Sequence, residues 1–395
     1  MKRTVSLLAL VVGMVGCGGG EETMPEVKPP PTPSASVSTT TATVPTASAT
    51  TPVEAPKPTL AELHKKTGDA MRAAFASHDV KKMMELYADG AQFGMPVATG
   101  WIDAKAADVE KHLTGFMTGF PDAKMAATRV LIKGDTAIVE WVSTGTNTGD
   151  FMGEKATGKT MGRRGLTIMV LDKDTGKIKR EAMYADDATV MGQLGKADKN
   201  AKFRAVEALP AGEPELVMAK DDQDTKNEAA VKAMYQAFEK KDDKAFLATV
   251  ADDVVHADYS APADSKGKDT AKKEFAEMTK AMPDLKFTAK NVWSVGDYVV
   301  VEGEMTGTLK GQLGPFKATN KSATTHFVDV AKFNKDGKMS WMGTYGNGME
   351  FVVQYGIVKL PGPKGDAKPG DTKKPDAKPT DTKKPDAKPA DPKKK

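Results

Sequence analysis

The chain has 395 residues, enough for two or three domains, and its mean hydropathy of −0.43 is low for one large globule. Its net charge of +4 comes from its end, where the residues from 364 onward hold eleven lysines and six aspartates. The middle is close to neutral and has no basic stripe of the kind that binds nucleic acid, so we expect no nucleic-acid partner.

The amino terminus has the pattern of a secretory leader. Lys2 and Arg3 precede an apolar run, Val5 to Val15, that is too short for a transmembrane helix. The run ends in Met-Val-Gly-Cys, which resembles a bacterial lipobox and implies lipidation of Cys17, the only cysteine. We therefore expect residues 1–17 to be a lipoprotein signal peptide and the protein to be secreted and anchored to the bacterial cell envelope; an ordinary signal peptide is the alternative.

Two low-complexity segments flank the middle of the chain. Residues 18–58 are rich in Pro, Thr and Ser and cannot bury enough apolar surface to fold, so we expect a disordered tether. Residues 359–395 repeat a ten-residue unit of Asp, Lys and Pro, and regular proline excludes helix and sheet. This tail is either a solvated, extended segment or a contact to an anionic envelope surface.

The first folded segment is predicted at residue 59, where Thr59-Leu60-Ala61-Glu62 fits a capping box. Apolar residues then recur at helical spacing as far as Phe75, and a break at His78-Asp79 leads to a second helix that runs through Met83 to Tyr87. The patterns next predict a short strand, a third helix and four long strands, with the turn Gly134-Asp135 between the first two long strands. The predicted bounds are 91–95, 103–118, 124–133, 136–146, 160–171 and 177–186.

The same order restarts after a connector, residues 196–225. Phe120-Pro121-Asp122 recurs as Met282-Pro283-Asp284, and Gly134-Asp135 recurs as Gly296-Asp297, each 162 positions later. So steady an internal repeat indicates a tandem of one fold. We assign residues 59–195 to domain 1 and residues 226–358 to domain 2.

Several motifs of domain 1 carry a family resemblance. They are Phe120-Pro121-Asp122, Thr144-Gly145-Thr146, Thr157-Gly158-Lys159, Gly176-Lys177-Ile178, and Asp186 seven residues before Gln193-Leu194-Gly195. Together they resemble SnoaL-like domains, the polyketide-cyclase-related and ketosteroid-isomerase-related branch of the NTF2-like superfamily. The resemblance implies an α+β fold of two cone-like domains, each with three helices packed on a curved antiparallel sheet around an apolar pocket.

Strand alternation identifies one candidate acid/base. On the last strand of domain 1, Tyr184 and Asp186 share a face, and the matching face in domain 2 carries Trp341, Tyr345 and Asn347. Because this second set is largely apolar and aromatic, we expect the face to line the pocket and Asp186 to have a raised pKa there. The resemblance implies that an Asp at this position drives ring closure as acid/base; the alternative is a hydrogen-bonded residue at a strand end. Domain 2 has Asn347 in its place, which cannot exchange a proton.

The resemblance also implies a second candidate, in domain 2. Asp258 matches the proton-shuttling Asp of isomerase-like relatives, and Tyr235 lies near their oxyanion-donating Tyr, one residue out of step. We expect further contacts to a ligand from polar and aromatic side chains, namely Tyr184, Arg164, Tyr235, His326, Trp341, Tyr345 and Asn347. The five histidines have no metal-ligand spacing and no Gly-rich loop opens a helix, so we expect neither a metal nor a cofactor.

Three classes of function are compatible with these patterns. The first, which we favour, is a binding protein for a small apolar molecule in one or both domains. Both copies have a tyrosine at the same position, Tyr184 and Tyr345, whereas only the first copy has the candidate acid/base, Asp186. The second is a cyclase-like or isomerase-like enzyme that uses Asp186. The third is a non-catalytic scaffold whose sheets pair between domains or in a homodimer.

Overall fold

The computed structural model describes residues 57–220 and 225–359. The predicted signal peptide with Cys17, nearly all of the tether and nearly all of the tail lie outside the described residues. The two domains belong to one compact unit.

Domain 1 begins with the predicted capping box, which is present at Thr59 and Glu62. Three helices, a strand pair and four further strands follow, and a short helix ends the domain. The elements are α1 Leu60–Ala76, α2 Val80–Met84, β1 Tyr87–Val97, β2 Gly100–Ala104, α3 Ala106–Gly119, β3 Lys124–Lys133, β4 Thr136–Thr146, β5 Thr160–Leu171, β6 Ile178–Ala185 and α4 Asp187–Gln193.

Domain 2 repeats this order after one strand in the connector, β7 Glu215–Met218. Its elements are α5 Thr225–Lys240, α6 Asp243–Thr249, β8 Val250–Asp258, β9 Ser265–Lys266, α7 Lys268–Ala281, β10 Lys286–Val295, β11 Tyr298–Thr308, β12 Ser322–Phe333, β13 Met339–Gly346 and α8 Gly348–Gln354.

Each domain has one sheet with helices on one face. The strand order is β2-β1-β6-β5-β4-β3-β7 in domain 1 and β10-β11-β12-β13-β8-β9 in domain 2. The predicted α+β fold of two sheet-and-helix domains is confirmed, but the sheets are mixed, because β1 pairs parallel with β6 and β8 pairs parallel with β13.

Most predicted elements are confirmed, and the bounds of three long strands, β3 to β5, agree to the residue. The turn Gly134-Asp135 joins β3 to β4, and Gly134 has a φ of +57°, which glycine adopts without strain. The predicted second helix is too long, since α2 ends at Met84 and Tyr87 begins β1. The patterns did not predict the short elements β2, β7, β9, α4 and α8.

The two sheets pack against each other through the faces that do not carry the helices. Their shared core contains side chains from both domains, among them Leu166 and Tyr184 of domain 1 and Val328 and Tyr345 of domain 2. The hydroxyl of Tyr184 donates to Glu302 across the interface at 3.1 Å. In the equivalent positions, the hydroxyl of Tyr345 donates to Glu140. The tandem copies therefore pack in the reciprocal manner of a two-fold homodimer.

Candidate functional site

The predicted ligand-binding residues of β6 and β13 lie between the two sheets. Tyr184 and Tyr345 are each 1% exposed and make the reciprocal hydrogen bonds to Glu302 and Glu140. Trp341 packs under the guanidinium of Arg129, 4.8 Å from its ring centroid. The expectation that this face lines a pocket differs from the structure. A face buried by a second sheet has the same apolar and aromatic alternation as a pocket wall.

The other predicted ligand-contact residues on the interface face make hydrogen bonds to other residues of the protein. Arg164 donates to Glu207 of the connector at 2.6 Å. The ring of His326 bonds Glu350 at 2.7 Å through Nδ1. The amide of Asn347 donates to the carbonyl of Pro96 at 3.0 Å and to Asp187 at 2.9 Å. These contacts connect the two domains or fix the local chain.

Asp186 is the N-cap of α4. One carboxylate oxygen accepts the amides of Ala188 and of Gly348 in domain 2, at 3.2 and 2.8 Å. The other accepts the amide and hydroxyl of Thr189, at 2.9 and 2.6 Å. Burial raises the pKa of Asp186 to about 6 against the lowering effect of these bonds. This environment matches the alternative of a hydrogen-bonded strand-end residue, while the proposed acid/base role of Asp186 stays a prediction.

Tyr235 of α5 and Asp258 at the end of β8 lie on the helix-covered side of the domain 2 sheet. The hydroxyl of Tyr235 donates at 2.7 Å to Asp329, a buried carboxylate that the sequence patterns did not single out. Thr344 donates to the other oxygen of Asp329 at 2.7 Å. Asp258 instead accepts the amide and hydroxyl of Ser260, at 2.9 and 2.7 Å. The structure thus gives Tyr235 a carboxylate partner, but that partner is Asp329 and not Asp258.

A chain of hydrogen bonds runs from the Tyr235–Asp329 pair toward the surface. Thr344 links Asp329 to His256, whose Nε2 lies 3.1 Å from the Thr344 hydroxyl. Burial raises the pKa of Asp329 and of Tyr235. Burial alone would lower the pKa of His256, but the carboxylates around it, led by Glu274, raise it. The rest of this interior is filled with aromatic rings 4.6 to 5.1 Å apart between centroids, those of Phe238, Phe246 and Phe275. The helix-covered face of domain 2 is a packed core crossed by a polar chain.

The helix-covered face of domain 1 also has a packed aromatic core, which includes Phe75, Phe116 and Phe120, but a space opens beside it. The pairing of β1 with β6 is interrupted between Tyr87 and Gln92, where Gly90 has a φ of +72°. A cleft of about 1090 Å³ lies at this interruption. Its lining includes Tyr87, Phe93, Trp101 and Glu181 together with small residues of β1 and of the start of α3. We call this space the domain 1 cleft; its volume is in the range that small-molecule sites occupy.

Glu181 is one of several ionisable groups at the wall of the cleft. It lies on the face of β6 opposite to Tyr184, and its Oε2 accepts the hydroxyl of Tyr87 at 2.6 Å. Burial raises the pKa of Glu181, and the Tyr87 hydroxyl lowers it only in part. Burial and the neighbouring carboxylate also raise the pKa of Tyr87. The pair can bind a polar group, or exchange a proton with one, inside a space lined by both apolar and charged side chains.

The sequence patterns missed Tyr87, Glu181 and Asp329. The available signal was strand alternation, because Glu181 lies on the face of β6 that also carries Met183 and so belongs to the helix side. Tyr87 was assigned to a helix end, which hid its position on β1.

The described residues hold no group of three or more His, Cys, Asp or Glu side chains placed to bind a metal ion. Across residues 57–220 and 225–359, every helix is too short or too polar to span a bilayer.

Two family models match the chain. The model described as SnoaL-like polyketide cyclase matches residues 65–194, and the model described as SnoaL-like domain matches residues 231–342. No curated protein matches the chain significantly.

Three of the solved structures to which part of the chain is similar are proteins of Streptomyces. AclR of Streptomyces galilaeus, a proposed hydroxylase, is 20% identical, covering 36% of this chain and 87% of its own, with a TM-score of 0.33. IdmH of Streptomyces antibioticus, a proposed polyketide cyclase, is 23% identical, covering 33% and 97%, with a TM-score of 0.30. TsrD of Streptomyces laurentii is 15% identical, covering 35% and 100%, with a TM-score of 0.32.

Proposed function

Since this chain carries two SnoaL-like domains in tandem, we propose that it is a binding protein that holds one small, largely apolar molecule in the domain 1 cleft. We further propose that a lipid on Cys17 anchors it to the bacterial envelope, on the basis of the lipobox-like sequence alone. The observation that carries the binding proposal is the cleft, about 1090 Å³ in volume and lined by Tyr87, Phe93 and Trp101.

The difference between the two copies supports one ligand per chain. Both helix-covered faces have a packed aromatic core, so the difference lies in the side chain that β6 and β13 present at one equivalent position. Met342 of β13 is the counterpart of Glu181, since the two pair with His256 and Phe93 in the same register. Domain 2 then acts as the fixed half of the tandem, covering the outer sheet face of domain 1.

The test is native mass spectrometry of the purified chain, with the search directed at a co-purified small molecule. In the variant Ala107→Trp, a large side chain enters the cleft from an exposed position at the start of α3. The matched control is Asp269→Trp, the exposed equivalent position on α7. We expect a bound molecule at one per chain that Ala107→Trp loses and Asp269→Trp keeps. Retention of the molecule in Ala107→Trp would remove the cleft from consideration.

A cyclase-like or isomerase-like proton transfer is the second candidate, favoured by the Glu181–Tyr87 pair at 2.6 Å in the cleft. A carboxyl group with a raised pKa beside a phenol is suited to acid/base chemistry. Turnover of the co-purified molecule that Glu181→Gln abolishes, with the molecule still bound, would favour this candidate over binding alone. Asp186→Asn tests the earlier candidate in the same assay.

A further inference from the structure

We propose that the molecule in the domain 1 cleft is an organic amine or another organic cation, with its positive group at Glu181 and its apolar part against Tyr87, Phe93 and Trp101. This inference rests on the proposed function, because it names the ligand class of the same cleft. Three features of the described residues lead to it: the charges at the wall, the hydrogen bonding of Glu181 and the equivalent position in domain 2.

The charges around the cleft are one-sided. Four carboxylates line it, against two cationic side chains, Lys105 and Arg180; the carboxylates are Asp89, Asp103, Glu110 and Glu181. The guanidinium of Arg180 is already paired with Glu302 of domain 2 at 2.6 Å. One cation is therefore left among four carboxylates, so an anionic ligand would meet repulsion where a cationic ligand would be attracted.

Glu181 itself has an open acceptor. The Tyr87 hydroxyl bonds Oε2, whereas Oε1 accepts no hydrogen bond from the described residues, and none of their cationic side chains pairs with it. Burial raises the pKa of this carboxyl group, as expected where no cation offsets its desolvation. An ammonium group placed at Oε1 would supply both the missing hydrogen bond and the missing charge.

The aromatic lining suits the rest of such a ligand. The rings of Tyr87 and Phe93 lie 4.7 Å apart, and the indole of Trp101 donates its N–H to the rim carboxylate Asp103 at 3.0 Å. Aromatic rings bury hydrocarbon surface and also attract cations through their π faces. In domain 2, Met342 replaces this carboxylate, so an ammonium group has no equivalent partner at that position.

The test compares three probes of one shape on the intact chain by isothermal titration calorimetry: 2-phenylethylamine, 2-phenylethanol and 3-phenylpropanoate. We expect the amine to bind with a Kd at least tenfold lower than that of the alcohol, and the carboxylate to bind most weakly. Glu181→Gln should remove the tenfold preference, and Ala107→Trp should remove binding of all three. The control Asp269→Trp should retain the wild-type order. The probe comparison on the wild-type chain needs no variant, so it holds even where a variant fails to fold.

The outcomes separate the ligand class from the proposed function. Equal affinity for amine and alcohol, or tighter binding of the carboxylate, would overturn the cationic ligand while leaving the cleft as a binding site. A tenfold preference that persists in Glu181→Gln would also overturn it. Binding of no probe up to millimolar concentration would overturn the cleft as a binding site, and the proposed function with it.

Discussion

Asp186 combines two roles at the scale of a single residue. Its carboxylate caps α4 through Ala188 and Thr189 and also accepts the amide of Gly348 from domain 2. Asn347 holds the equivalent N-cap of α8, so both copies begin this helix in the same way although only one carries a carboxylate. Asp and Asn are both good N-cap residues, so a capping function explains Asp186 as well as Asn347, whereas acid/base chemistry explains only Asp186.

The raised pKa of Asp186 predicts a pH dependence of stability. A carboxyl group that titrates at about 6 when folded, against an ordinary value of 3.8, binds its proton more tightly in the folded state. Its contribution to the free energy of unfolding is therefore complete below about pH 4 and declines as the pH rises to about 6. The shift corresponds to on the order of 3 kcal/mol. The measurement is urea unfolding of wild type and Asp186→Asn at several pH values between 4 and 7. We expect the difference between their free energies of unfolding to become smaller as the pH rises.

The control for this measurement is Asp122→Asn. The amide of Thr146 donates to Asp122 at 2.6 Å and lowers the pKa of that exposed carboxyl group. Its stabilising contribution is present above about pH 4 and is lost only at lower pH, so Asp122→Asn should show a nearly flat difference between pH 4 and pH 7. A flat difference for Asp186→Asn across pH 4 to 7 would show that the buried carboxyl group does not titrate in this range.

At the scale of elements, β7 shows how the connector is built into the tandem. It pairs parallel with β3, which would otherwise be the edge of the domain 1 sheet. Val217 packs against the core shared by the two sheets, whereas Leu216 and Met218 point outward and are 61% and 46% exposed. A short strand thus covers a sheet edge and adds an apolar side chain between the domains.

This alternation predicts opposite outcomes for neighbouring substitutions. Val217→Asp places a charge beside the shared core, and we expect it to lower the free energy of unfolding by about 1–3 kcal/mol. Leu216→Asp, the matched control on the exposed face, should change it by less than about 0.5 kcal/mol. Urea unfolding of both variants at pH 7 provides the measurement. Equal losses in the two variants would contradict the assigned strand orientation.

At the scale of the whole molecule, the features that could be predicted from the sequence are those that depend on local periodicity, namely strands, turns and the repeat. The bounds of β3 to β5 followed from alternation and from turns such as Gly134-Asp135, whose geometry depends on a few neighbouring residues. The repeat spacing predicted two copies of one fold. What covers a buried strand face was not predictable. The alternation that places Tyr184 and Tyr345 on the buried face is the same whether that face lines a pocket or packs on a second sheet. Likewise, no motif marked the cleft, because its walls come from β1, β2, β6 and the start of α3, which are brought together only by the fold.

The reciprocal interface predicts that the two domains unfold together. Each sheet buries its outer face on the other, and Glu140 and Glu302 accept hydrogen bonds across the interface, so neither domain keeps its surroundings when the other unfolds. We expect a single calorimetric transition for the intact chain, with the calorimetric enthalpy equal to the van't Hoff enthalpy. Tyr184→Phe should lower the stability of that one transition by about 1 kcal/mol, because Arg180 still pairs with Glu302. Two resolved transitions in the wild-type chain, with Tyr184→Phe shifting only one of them, would mean that the domains are energetically independent.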